Sequence, residues 1–122
     1  MKILVISYSL PPNGGAEKVA WDIAKEYSKK YEVNMIVFGK NNSSKVIDGI
    51  KINFFKLQNR SFLYYLFIGK FKILKKVNEI NPDIIHSHSP TIFSYVIRKL
   101  SYKKIITFHH SELEKYNWNI KR

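Results

Sequence analysis

Four histidines, one glycine pair and two glutamates stand at positions of this sequence where chemistry is feasible. Gly14 and Gly15 close the stretch SLPPNGG, between an apolar run and an amphipathic one. A missing Cβ lets a ligand approach the backbone, and the free N–H groups of a helix start can hold an anion such as a diphosphate. A plain tight turn would use the same residues. The pair matches neither G-x-G-x-x-G nor the Walker loop, which counts against a dehydrogenase and a P-loop ATPase. Glu17, one step further, suits the helix dipole whatever the function. His86 and His88 are two apart and share a face of an extended strand. With His109 or His110 they could build a three-imidazole zinc site, whereas a buried, hydrogen-bonded His86 and a cleft-facing His88 need only the strand assignment. His109 and His110 follow an apolar run, where a neutral imidazole could orient or deprotonate a hydroxyl or simply cap a strand end. Glu112 follows them closely and joins His88 and His110 as a candidate for lining a cleft.

These residues need a frame. Ile3 to Tyr8 (ILVISY) is a β-branched run of the kind buried on both faces of a parallel sheet. Ala16, Val19, Ala20, Ile23, Ala24 and Tyr27 then recur at spacings of 3 and 4, predicting an amphipathic helix over residues 16–30. Val33 to Phe38 reads as a second strand, Lys40 to Lys45 as a polar loop, and Ile50 to Phe55 as a third strand. A helix over about 62–80 has Leu66, Phe67, Ile73, Leu74, Val77 and Ile80 inward and is stopped by Asn81-Pro82. Asp83 to Ser87 is a fourth strand, Thr91 to Leu100 a helix and Lys104 to His109 a fifth strand. Alternating strands and helices predict an α/β fold, a doubly wound parallel sheet in three α/β/α layers and a single domain. In such sheets ligands bind beyond the carboxyl ends of the strands, where every residue singled out above falls.

Composition bounds the answer further. A chain of 122 residues with 45% apolar and 15% aromatic content fits one domain with a real core. Cysteine is absent, so disulfides, thiolate metal sites and a Cys nucleophile are excluded, and the expected compartment is cytoplasmic. The longest apolar stretch, Phe62 to Ile68, is far short of the ~20 residues of a membrane span, so membrane contact would be peripheral. The net charge of +12 draws the protein toward phosphates or anionic lipid, although heavy use of Lys, Ile and Asn is also what an AT-rich genome produces. Lys70, Lys72, Lys75 and Lys76, behind an aromatic start at Phe62, Tyr64 and Tyr65, are candidates for contact with an anionic membrane surface. The plainer alternative is that this helix packs its apolar face on the sheet and its lysines are solvated. Nucleic acid is not expected, because the aromatics are spaced as on a helix rather than a base-stacking sheet.

Taken together, ILVISYSLPPNGGAEKVAWDIAKEYSKKYEV, NPDIIHSHSP and KIITFHHSE resemble, in order, the first-strand, fourth-strand and fifth-strand segments of family 4 glycosyltransferases. The resemblance spans Met1 to about Glu112 and implies the Rossmann-like N-terminal half of a GT-B fold. It implies a retaining hexosyltransferase of glycan biosynthesis, needing no metal or cofactor, that moves a sugar from a nucleoside diphosphate sugar to a glycan or lipid-linked acceptor. It places Gly14 and Gly15 against the donor diphosphate and His109 near the donor sugar and acceptor hydroxyl. The family's second domain carries most of the nucleotide pocket and two glutamates eight apart. No two of the glutamates here, at 17, 26, 32, 79, 112 and 114, have that spacing. Residues 1–122 are therefore expected to be an acceptor-side domain lacking the donor-binding half and inactive alone, whether excised, truncated or one subunit of a split enzyme. The alternative from another class is a non-catalytic basic α/β module that binds anionic lipid or a partner protein.

Overall fold

The computed structural model describes residues 1–7, 10, 15–39, 41–56, 69–88 and 101–107. Along the chain run β1 (Lys2–Ile6), α1 (Gly15–Ser28), β2 (Glu32–Gly39), β3 (Ser43–Ile47), β4 (Ile50–Lys56), α2 (Gly69–Ile80), β5 (Ile84–Ser87) and β6 (Lys103–Ile106). The strands form one sheet in the order β3-β4-β2-β1-β5-β6. All pairings are parallel except β3 with β4. The sheet is thus Rossmann-like with one antiparallel edge.

Continuous apolar runs place β1 and β2 at the centre, because alternate residues are buried against different helices. Leu4, Ile6, Ile36, Phe38 and Ile85 pack with Ile73, Val77 and Ile80 of α2. Ile3, Val5, Val33, Met35, Val37, Ile50 and Ile52 pack on the other face with Ala20 and Ala24 of α1. The small alanines let α1 lie close to the sheet.

Several boundaries differ from expectation. α1 ends at Ser28, and Lys29 and Lys30 belong to the turn that follows. Val19, predicted inward, is 43% exposed, and Trp21 packs against the core in its place. The indole buries more area than the valine side chain, so it decides which way the helix rolls. The expected loop over Lys40 to Lys45 runs into a strand, β3, folded back on β4 by Asp48 and Gly49. Both turn residues have positive φ, at 52° and 79°, as a two-residue hairpin turn requires. β6 stops at Ile106, short of the expected His109. Residues 57–68, which include Leu66 and Phe67, and the expected helix from Thr91 to Leu100 lie outside the described residues.

α2 ends as its sequence predicts. Asn81 takes a left-handed φ of 52°, its amide donates to Val77 O at 2.8 Å, and Pro82 follows. The Lys2 ammonium donates to Ile80 O at 2.8 Å, placing positive charge at the negative end of the helix dipole. The Lys2 amide donates to Asp83 Oδ2 at 2.7 Å, and the Asp83 amide donates back to Lys2 O at 2.8 Å. This pair clamps β5 beside β1.

Candidate functional site at the carboxyl edge of the sheet

Three backbone hydrogen bonds carry the parallel ladder one residue beyond the strands. Ser7 N donates to Ile36 O at 3.0 Å, His88 N to Ile6 O at 2.7 Å and Thr107 N to Ser87 O at 2.9 Å. Ser7, His88 and Thr107 thereby stand in a row along the carboxyl edge, the side from which α1 also starts.

At that start lies Gly15. A Cβ built on it would meet nothing within 4 Å among the described residues. Glu17 occupies the first turn, as expected for the dipole. Gly14 lies outside the described residues.

Below the edge, His86 joins α1 to β6. Its Nδ1 is 2.9 Å from Tyr27 Oη and its Nε2 is 2.9 Å from Thr107 Oγ1. The residue is 6% exposed, and burial lowers its pKa from the usual 6.5. The ring is therefore neutral near pH 7, with one nitrogen donating and the other accepting. In one tautomer Tyr27 donates to Nδ1 and Nε2–H donates to Thr107; in the other both directions reverse. Either way the three side chains form one polar chain under the edge, and the buried, hydrogen-bonded His86 read from the sequence is what the strand provides. His88, proposed as cleft-facing, is 3% exposed. Its ring stacks on His86 with centroids 4.1 Å apart and planes 31° apart.

Tyr27 and Thr107 were not singled out from the sequence. Tyr27 fits the apolar stripe of α1 and Thr107 sits in an apolar strand run, so only the packing shows that both hydroxyls meet one imidazole. His109, His110 and Glu112 lie outside the described residues. No cluster of three metal-ligating side chains occurs among the described residues, and the three-imidazole alternative would draw on His109 or His110.

Of the lysines proposed for membrane contact, Lys72 and Lys75 are exposed and Lys70 and Lys76 half-buried on the outer side of α2. Lys70 Nζ lies 5.3 Å from the centre of the Phe71 ring, and Phe71 is 63% exposed. No helix among the described residues is long and apolar enough to cross a membrane.

The sequence model of Glycosyltransferase Family 4 matches residues 13–122. No curated protein matches the sequence. Among solved structures the fold is similar to one described as trehalose-6-phosphate from E. coli bound with UDP-2-fluoro glucose, at a TM-score of 0.52 and 16% identity. The match covers 87% of this chain and 32% of that one.

Proposed function

Because the chain belongs to glycosyltransferase family 4, we propose that it is the acceptor-side half of an enzyme that moves a sugar from a nucleoside diphosphate sugar to a glycan or lipid-linked acceptor. The observation that carries this reading is Gly15 at the first residue of α1, where a Cβ would meet nothing within 4 Å among the described residues. A diphosphate seated there would meet free N–H groups and the positive end of a 14-residue helix. Gly14 and Gly15 are assigned to that contact. His109, two residues past Thr107, is assigned to the donor sugar and the acceptor hydroxyl, with His110 and Glu112 lining the cleft; His88, buried against the His86 ring, is not assigned to it. The chemistry assigned is retaining transfer without a metal. The solved structure similar in fold has UDP-2-fluoro glucose bound, which supports a nucleotide sugar as the ligand class.

The test has two parts. Calorimetry of the 122-residue chain with a panel of UDP and GDP sugars should show weak or no binding, because most donor contacts are assigned to a second domain. Micromolar binding would mean that this chain holds a complete donor site. Paired with a donor-binding domain of the family, His109→Ala should lower turnover about 10²-fold, and a loss within about threefold would remove its assigned role. Gly15→Val should lower activity with the melting temperature unchanged, since its added Cβ meets nothing within 4 Å among the described residues.

A further inference from the structure

The β3–β4 hairpin and α2 leave a groove of about 400 Å³ between them, a volume typical of small-ligand sites. It lies on the α2 side of the sheet, on the opposite face from Tyr27 and His86. One wall is Asn42, Ser43 and Ser44; the other is Lys72, Lys75 and Lys76, with Glu79 one turn beyond. We propose that this groove binds the phosphate group of a phosphomonoester or phosphodiester ligand, independently of sugar transfer at the carboxyl edge.

The charge arrangement is the first argument. Lys72, Lys75 and Lys76 fall at i, i+3 and i+4, so their ammonium groups share one stripe of the helix. Like charges at that spacing cost a helix a few tenths of a kcal/mol, so α2 gains nothing from the stripe itself. Glu79 contacts Lys76 at 3.2 Å and is the one acid lining the groove among the described residues. Lys75 has no carboxylate partner among the described residues. The hairpin adds Lys51, two residues from Asn53 and on the same face of β4. An anion would offset this repulsion, and Ser44, paired with Asn53, supplies a neutral hydroxyl donor across from the lysines.

The second argument is that the groove is preformed. On its floor, Asn53 is buried and its side-chain amide donates to Met35 O at 3.1 Å. At its rim, the Lys56 amide donates to Asn42 Oδ1 at 2.8 Å. The positive-φ turn at Asp48 and Gly49 fixes the register that sets Ser44 opposite Asn53. A ligand therefore meets ordered backbone and need order only the lysine side chains.

The phosphate could belong to a soluble ligand or to a lipid headgroup, and two probes separate the sources. One is sodium pyrophosphate, titrated into the 122-residue chain while amide chemical shifts are followed. The other is co-sedimentation with phosphatidylglycerol vesicles, compared with phosphatidylcholine alone. Saturable shifts confined to residues 42–44 and 72–76 would assign a soluble phosphate. Sedimentation with phosphatidylglycerol and no pyrophosphate response would assign a headgroup. In either case Lys72→Gln with Lys75→Gln should weaken binding about tenfold at an unchanged melting temperature. Lys18→Gln with Lys25→Gln, which removes the same charge from α1, should change it less than about twofold. Absence of saturable binding to both probes at low salt overturns the proposal. Equal weakening by the α1 pair also overturns it, because binding would then follow net charge rather than the groove.

Discussion

On the α2 face, Leu4, Ile36, Ile73, Val77 and Ile85 meet without a polar atom among their side chains, and charge appears at the rim. On the α1 face, an apolar patch around Val5 and Met35 gives way, toward β5 and β6, to the polar chain from Tyr27 through His86 to Thr107. The contrast separates two jobs. Apolar packing is non-directional and supplies free energy in proportion to area. A buried hydrogen-bond chain contributes less net energy but holds its members in one geometry, and is costly if a partner is missing. Here the chain ties α1 to the end of β6, two residues before His109. Apolar packing thus stabilises both sides of the sheet, while the polar chain positions the β5–β6 end of its α1 side.

The largest effect should come from the apolar face. Leu4→Ala, at a fully buried site, should cost about 2–5 kcal/mol in urea unfolding. A smaller cost would mean that the centre of the sheet can collapse around the gap. His86→Leu keeps the approximate volume but strands two hydroxyls, and should cost about 1–3 kcal/mol. Tyr27→Phe removes one bond only, so its cost should be nearer 0.5–1.5 kcal/mol. If His86→Leu instead stabilised the protein, the polar chain would be a burden carried for another purpose.

Acid sharpens the same comparison. Burial lowers the His86 pKa below its usual 6.5, so in that window the unfolded chain binds a proton that the folded chain does not. Stability therefore rises with pH there; the contribution is fully present above about 6.5 and lost as pH falls through the depressed folded value. Melting temperature should drop between about pH 7.5 and pH 5 more steeply for the parent than for His86→Leu. Equal slopes would assign the acid sensitivity to other groups. The smallest effect belongs to the rim. Phe71→Ala should change stability by no more than about 0.5 kcal/mol, although its near neighbour Ile73 is buried.

The apolar face was the more legible in the sequence. ILVISY and VNMIVF announce central strands because both of their faces are apolar, and the 3,4 spacing correctly turned Ile73, Val77 and Ile80 inward. Val19 misled because it and Trp21 flank the same stripe, and side-chain area rather than periodicity chooses between them. β3 left little trace: SSKVI is short, largely exposed and has no apolar face, so its one signal was the Asp48-Gly49 turn. His86 could be read as buried and bonded from its strand. Its partners could not, since Tyr27 is 59 positions away and is brought there by tertiary packing alone.

The clamp between Lys2 and Asp83 has a consequence for the order of assembly. β1 is made first and lies between β2 and β5, yet the residues that close its second side come 81 positions later. At a synthesis rate of about 5–20 residues per second, the most apolar strand of the sheet waits roughly 4–16 s for that neighbour. Non-local parallel pairing of this kind folds slowly even after the chain is complete. Over that interval ILVI is an apolar segment of a nascent chain whose second side is still uncovered.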